Sequence, residues 1–128
     1  MIVKHNPPGV AAPVGPYTHG IEIPPNARLL FVAGQLGIAS DGTVPADARG
    51  QADLVWHNIA RILEAGGMGL ANIVQMTGYV ADPAHAEAYR SARLAAMGDL
   101  RPASTLIFVS RLADPKYLIE IDAIAAKV

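Results

Sequence analysis

Two carboxylates near the C-terminus, Glu120 and Asp122, are the first candidates for chemistry. The segment around them is predicted to be a β-strand, in which alternate side chains point to opposite faces. One face is wholly apolar and is expected to lie in the core: Ile119, Ile121, Ala123 and Ala125. The other face sets the acids between Leu118 and Ile124. Such a face suits a cleft or an intersubunit surface better than open solvent, so an acid there is a candidate functional group.

A Gly-Pro-Tyr turn supplies the next candidates. Tyr17 ends the turn that begins at Gly15, and a strand follows. This arrangement is expected to place the hydroxyl of Tyr17 close to the imidazole of His19. Alone, this pattern is more typical of a rigid turn with a packed tyrosine than of a site. Gly34, at the end of another predicted strand, is either part of a chain reversal or a point where bare backbone lets a ligand approach.

The sequence lacks the strong signatures of catalytic and metal sites. It has no G-x-x-x-x-G-K-S/T phosphate loop, no G-x-S-x-G elbow and no H-E-x-x-H pair. It also has no cysteine, which excludes disulfides and thiolate nucleophiles. The histidines show no ligand spacing: His5, His19, His57 and His85. We therefore expect no metal site.

Length and composition favour one domain, residues 1–128, that assembles with copies of itself. Hydrophobic residues make up 52% of the chain and charged residues only 16%, against about 25% charged residues in an average soluble domain. This composition excludes disorder. A small domain has a large surface for its volume, so the scarcity of charge indicates that other chains cover part of that surface and predicts a homo-oligomer.

Charge and hydropathy limit the partners and the location. The formal net charge is −1 and the ten Lys and Arg residues are scattered, so nucleic acid is not an expected partner. No uncharged stretch reaches the run of about 18 apolar residues that a membrane span needs, and no signal peptide is recognisable. Together with the lack of cysteine, this favours a cytoplasmic protein.

The periodicity of apolar residues predicts two helices and six strands. The helices run from about Asp47 to Ala65 and from Asp82 to about Met97. The strands are Ile2–His5, Thr18–Ile23, Leu29–Gln35, Ile73–Val80, Ser104–Val109 and Leu118–Ala126. The order β-β-β-α-β-α-β-β favours an α+β fold, a mixed sheet with two helices packed on one face.

Each helix is predicted to bury one stripe of side chains. In the first helix the stripe is Ala52, Val55, Trp56, Ile59, Ile62 and Leu63, with Gln51 and Asn58 outside it. In the second helix the stripe is rich in alanine: Ala88, Tyr89, Ala92, Ala95 and Ala96. Arg90 and Arg93 are interpreted as part of a solvated helix face.

These motifs, in this order and spacing, resemble the RidA (YjgF, reactive intermediate deaminase) family, whose members are also labelled endoribonuclease L-PSP. The resemblance covers nearly the whole chain. Its landmarks are Gly15-Pro16-Tyr17, Phe31-Val32-Ala33-Gly34-Gln35, Gln51, Asn58, Leu63-Glu64-Ala65-Gly66-Gly67, Arg101-Pro102-Ala103-Ser104-Thr105 and Ile119-Glu120-Ile121-Asp122-Ala123-Ile124-Ala125.

The resemblance implies a chorismate-mutase-like α+β fold assembled as a homotrimer, with small-molecule pockets at the clefts between subunits. It implies hydrolysis of enamines or imines to 2-oxo acids and ammonia, without metal or organic cofactor. By the same resemblance, Tyr17 lines the pocket, Gly34 offers its backbone, and Glu120 positions or activates the water. A carboxylate in a partly apolar cleft suits this role, because burial raises its pKa toward the range useful for proton exchange.

One departure from the family pattern concerns the substrate. The arginine that binds the substrate carboxylate in the deaminase branch is replaced by Ser104, next to Thr105, and His19 stands where a glutamine is usual. Losing the charge-assisted bonds of an arginine weakens carboxylate binding by about a hundredfold or more. We therefore expect poor hydrolysis of 2-iminopropanoate and 2-iminobutanoate. Arg101 or a protonated His19 could replace the missing cation, or the substrate could lack a carboxylate.

Two functions remain open from the sequence. The first is a deaminase-type hydrolase of a small imine, enamine or related metabolite, with specificity altered at Ser104. The alternative is a non-catalytic trimer that binds a small molecule in the same cleft. A ribonuclease is disfavoured because the chain has no basic groove.

Overall fold

The chain forms six β-strands and two α-helices in the predicted order, and the computed structural model describes residues 1–128. The strands are β1 (Val3–His5), β2 (Gly20–Glu22), β3 (Arg28–Leu36), β4 (Ile73–Val80), β5 (Ala103–Phe108) and β6 (Ile119–Lys127). The helices are α1 (Ala48–Ala65) and α2 (Ala86–Met97). A single 3-10 turn precedes β4 and another precedes α2. Neither helix combines the length and the hydropathy that a membrane-spanning helix needs.

The strands form two sheets rather than one. The main sheet has the order β3-β6-β4-β5, with β4 and β5 parallel and the other neighbours antiparallel. It is therefore the mixed sheet that the sequence predicts. The short strands β1 and β2 pair only with each other. β2 is shorter than predicted because the backbone N–H of Thr18 donates to Pro102 and that of His19 donates to the side chain of Asn6.

The two faces of the main sheet differ. Residues paired across neighbouring strands point to the same face, so the pairing shows which side chains each face carries. The helix face, which packs against α1 and α2, carries the core side chains Val32, Met76, Val80, Ile119, Ile121 and Ala123. The open face carries Phe31, Thr77, Tyr79, Thr105, Ile107, Glu120, Asp122 and Ile124. No element of the same chain covers the open face as the helices cover the other one. This agrees with the alternation predicted for the last strand.

The buried stripe of α1 is largely as predicted, with Ile62 only partly buried. Asp47 caps the helix by accepting a hydrogen bond from the N–H of Gly50 at 2.9 Å. The placement of Gln51 outside the stripe was wrong. Gln51 is completely buried; its amide donates to the carbonyls of Pro45 and Lys116, and its carbonyl accepts from the N–H of Leu118. It is buried because it satisfies backbone groups just before β6.

The buried side of α2 differs from the prediction. Tyr89 and Ala92 are buried as expected, but Ala95 is exposed, and Arg93 and Met97 are buried in addition. Tyr89, Arg93 and Met97 are four residues apart and so lie along one line of the helix. Arg93 is therefore not part of a solvated face, whereas Arg90 is exposed as predicted.

Candidate functional site

Glu120 and Gly34 are in direct contact on the open face. Glu120 lies on β6 opposite Leu36 of β3, and the register of this pair shifts between Val32 and Gln35. The irregularity lets the chain at Gly34 pass beneath the Glu120 carboxylate, where a Cβ on residue 34 would collide with Oε2. The close approach of the carboxylate therefore favours glycine at this position, since a side chain here would displace Glu120. The role of Gly34 as backbone offered to a ligand stays a prediction.

A second acid and a tyrosine lie on the same open face as Glu120. The hydroxyl of Tyr79 on β4 donates a hydrogen bond of 2.9 Å to Oδ2 of Asp122. Partial burial raises the pKa of Glu120, and the negative charge of Asp122 raises it further. The bond to Asp122 raises the pKa of Tyr79. The open face thus carries an acid whose proton is held more tightly than usual.

A cavity of about 400 Å³ lies on the other side of the sheet. Its walls are the loop from Val14 to Tyr17, the outer part of α2, and the start of β5. Its polar lining consists of Tyr17, Tyr89, Arg90, Arg93 and Ser104. No aspartate or glutamate lines it. The volume is typical of small-molecule sites, which span roughly 300–1,000 Å³.

Hydrogen bonds to the start of β5 hold the tyrosine turn at the cavity. Thr18 is buried, and its hydroxyl donates to the carbonyl of Arg101 at 2.5 Å. Its backbone N–H donates to the carbonyl of Pro102 at 3.2 Å. Tyr17 is half-buried; its hydroxyl accepts from the N–H of Val14 at 3.3 Å, and its ring meets that of His19 edge-on. The turn therefore places Tyr17 beside Ser104.

Arg93 brings a guanidinium to Ser104, which corrects its interpretation as a solvated residue. Only 7% of Arg93 is exposed. Its Nη1 donates to Oγ of Ser104 at 2.8 Å, and its Nη2 donates to the carbonyl of Pro16 at 2.5 Å. Helix α2 thus brings a cation to Ser104, the position at which the family resemblance predicts an arginine in the deaminase branch.

Five of the predicted site residues fall into two groups on opposite faces of the sheet. Ser104 pairs with Met76 of the helix face, and Thr105 pairs with Thr77 of the open face. Tyr17, Ser104 and Leu106 line the cavity. Gly34 and Glu120 lie on the open face with Thr105, which is exposed. One chain therefore does not bring Glu120 and Ser104 together.

The two residues suggested as replacements for the family arginine are not at the cavity. Arg101 is exposed and borders a separate small depression near Lys4 and Pro102. His19 is also exposed, and its Nε2 is hydrogen-bonded to the carbonyl of Ala11 at 2.6 Å. Neither residue lines the cavity that holds Ser104.

Sequence reasoning missed Arg93 although two signals pointed to it. Tyr89 was placed on the buried stripe, and a residue four positions further along a helix lies on the same side. The resemblance also implies that serine at position 104 leaves the pocket without its expected cation, which an arginine on a neighbouring element can supply. Two buried groups of the cavity, Nε of Arg93 and the hydroxyl of Tyr89, make no well-formed hydrogen bond. Burial raises the pKa of Tyr89, and the nearby Arg93 guanidinium partly offsets this. No cluster of His, Asp and Glu side chains is arranged to hold a metal ion.

Comparison with known proteins gives matches over nearly the whole chain. Residues 9–127 match the Endoribonuclease L-PSP family. The chain is 33% identical over 121 residues to the 2-iminobutanoate/2-iminopropanoate deaminase of Escherichia coli strain K12, covering 91% of each protein.

Solved structures show the same fold. The Yersinia pestis protein YyfB, described as a protein of unknown function of the conserved Rid family, has a TM-score of 0.84 and 28% identity over 98% of each chain. The structure of E. coli TdcF with bound serine has a TM-score of 0.74 and 26% identity over 91% of each chain. Family structures therefore include one that holds a small ligand.

Proposed function

Because this chain belongs to the Endoribonuclease L-PSP family, also called RidA/YjgF, we propose that it is a hydrolytic deaminase of small imines or enamines. The observation that carries the proposal is the Glu120 carboxylate lying against Gly34, with a pKa raised by burial and by Asp122. An acid in this state holds a proton at a pH closer to neutrality than an exposed glutamate does, which suits proton transfer to and from water.

The second part of the proposal is that the site is shared between subunits of a homotrimer. Glu120 and the Ser104 cavity lie on opposite faces of one sheet, so a site that uses both needs a neighbouring copy. The open face also exposes large apolar side chains: Leu29, Phe31 and Ile107. Burying such residues against another copy is favourable, and heterologous contacts between identical chains form a ring when the rotation from copy to copy closes.

The proposed reaction is addition of water followed by loss of ammonia. The carboxylate of Glu120 accepts a proton from water while the water oxygen attacks the imine carbon. Glu120 then returns that proton to the nitrogen. After the second proton of the water has also moved to nitrogen, the C–N bond breaks, ammonia leaves and the carbon–oxygen double bond forms. Glu120 carries both protons in turn, and Tyr17 and the cavity orient the rest of the substrate.

The name of one relative and the bound ligand of another support this chemistry. One relative is named a 2-iminobutanoate/2-iminopropanoate deaminase, and the TdcF structure holds serine, a small amino acid. The Ser104 replacement affects the part of the site that binds substrate and leaves Glu120 in place. We therefore propose deaminase chemistry with a substrate preference different from that of those relatives.

The test is the release of ammonia from 2-imino acids generated in solution, measured above the rate without protein. Glu120→Gln is expected to lower kcat by about a hundredfold or more, since proton transfer contributes roughly 10²–10⁴ in rate. Glu64→Gln is the matched control, because Glu64 is exposed on α1 and 3.7 Å from Arg61. If the parent and Glu120→Gln are equally inactive, the deaminase proposal fails, and the non-catalytic small-molecule-binding trimer becomes the better hypothesis.

A further inference from the structure

Arg93 is a buried cation without an anionic partner. Its two hydrogen bonds go to neutral oxygens, of Ser104 and Pro16, and its Nε has no partner. All ion pairs of the chain are at exposed sites, and none involves Arg93: His5–Glu22, Arg49–Asp53 and Arg61–Glu64. Charged side chains that are this deeply buried are normally paired, because removing them from water is costly. The guanidinium also has more N–H donors than these bonds use.

The surroundings of Arg93 favour an anion from outside the chain. The cavity is lined by two arginines, Arg93 and Arg90, and by no acid. The side chain of Tyr89 is buried and also lines the cavity; its hydroxyl lies next to the Arg93 guanidinium and makes no well-formed hydrogen bond. Its ring packs directly against Gly78, where any side chain would collide with it. The position of the hydroxyl is therefore imposed by the close packing of α2 on β4.

We propose that Arg93, with Ser104 and Tyr89, binds the carboxylate of a small organic acid in this cavity. Helix α2 delivers the guanidinium that β5 lacks at Ser104, so the serine replacement moves the carboxylate site without abolishing it. Binding of an organic acid is inferred independently of the proposed function. The inference rests on that function only where it identifies the acid as the imine substrate. It adds Arg93 to the alternatives left open by the sequence, which were Arg101, a protonated His19 and a substrate without a carboxylate.

The rest of the cavity indicates the class of acid. Its apolar walls are Val14, Pro16, Leu94 and Leu106. At about 400 Å³ the cavity has room for more than a two-carbon side chain. The favoured ligands are therefore 2-imino or 2-oxo acids with a branched aliphatic or an aromatic side chain, whose burial against these walls adds affinity.

Binding of unreactive acids tests the inference separately from catalysis. In calorimetric titration of the assembled protein, 4-methyl-2-oxopentanoate is expected to bind at least about tenfold more tightly than its neutral amide, since charge-assisted bonds to a guanidinium are lost with the carboxylate. Arg93→Gln is expected to remove this preference. Arg61→Gln, on the exposed side of α1, is the matched control and is expected to keep it.

A second variant guards against loss of folding. Because Arg93 also holds Pro16, Arg93→Gln could loosen the turn, so its circular dichroism and oligomeric state are compared with those of the parent. Ser104→Ala leaves the guanidinium in place and removes one of its neutral partners. It is expected to keep a preference for the acid over the amide. Equal binding of the acid and the amide by the parent overturns the inference without reference to any variant.

The outcomes separate this inference from the deaminase proposal. If the acid binds through Arg93 but no imine is hydrolysed, the carboxylate site stands and the deaminase fails. If imines are hydrolysed and Arg93→Gln changes neither KM nor the preference for the acid, the deaminase stands and the role of Arg93 is overturned.

Discussion

The two faces of the main sheet use the same strands for different purposes. On the helix face, Met76, Ile119 and Ile121 are buried beneath α1 and α2 and hold the chain together. On the open face, Glu120 and Asp122 sit among exposed apolar groups such as Phe31, which is 71% exposed. In such a strand the core residues on one face stabilise the fold, so the acids on the other face are available for binding or catalysis.

The difference also divides the chemistry. The cavity at the helix-covered side has arginines and no acid, while the open face has acids, and the cross-strand partners of Glu120 are Leu36 and Tyr79. The proposed hydrolase of carboxylate substrates needs a group that binds an anion and a group that transfers protons. The cavity side offers the first, and the open face offers the second. The proposed assembly joins the halves of different copies.

The largest expected effect is on the helix face. Ile121→Ala removes a completely buried side chain and is expected to lower the free energy of unfolding by about 2–5 kcal/mol, measured by chemical denaturation. Ile121→Val, which keeps most of the side chain, is expected to cost about 0.5–1.5 kcal/mol. Equal losses for the two variants would show that this face is not tightly packed.

The open face is expected to control assembly. Phe31→Arg places a charge where we expect apolar contact with another copy, and should raise the dissociation constant at least about tenfold for each interface. Size-exclusion chromatography with light scattering measures this. His57→Arg, at an exposed position of α1, adds the same charge elsewhere and is expected to leave assembly intact. An unchanged dissociation constant in Phe31→Arg would show that the open face is not the interface between copies.

A smaller effect is expected where the backbone passes beneath Glu120. In Gly34→Ala the new Cβ collides with the carboxylate and displaces it, so kcat is expected to fall about tenfold to a hundredfold, with a smaller change in KM. Gly69→Ala is the matched control, because a Cβ there meets nothing within 4 Å. Full activity in Gly34→Ala would mean that the position of Glu120 does not matter.

The smallest expected effect concerns pH. The charge of Asp122 disfavours ionisation of Glu120 and so contributes to its raised pKa, after burial. In Asp122→Asn that charge is absent, Glu120 ionises at lower pH, and the acid limb of the kcat profile is expected to move to lower pH. Asparagine can still accept the hydrogen bond of Tyr79. A limb that stays in place or moves upward would contradict the assignment of Glu120 as the proton acceptor.

Much of the fold follows from local patterns. Alternation along Ile119–Lys127 assigns the buried and open sides of β6 correctly, and the bounds of α1 are close to the prediction because Asp47 caps its start. Gln51 and Arg93 could not be placed in the same way. Each is polar and lies on a helix, and each is buried because of partners distant along the chain, Lys116 for one and Pro16 for the other. Periodicity detects apolar burial but not such bonds.

The sequence predicted which residues belong to the candidate site, but not where they lie relative to one another. Period-2 alternation puts Ser104 and Thr105 on opposite faces of β5, and the strand order then sets Glu120 and Ser104 apart. The strand order depends on contacts between distant segments, which the sequence pattern does not specify.

Complementation between two inactive variants tests the shared site most directly. Glu120→Gln and Arg93→Gln are each expected to lose most of the ammonia-releasing activity. When they are unfolded together and reassembled in equal amounts, random mixing gives about a quarter of the intersubunit sites both native groups, and activity is expected to return to about a quarter of the parent's. A mixture that stays as inactive as its two components would contradict a site built from opposite faces of neighbouring chains.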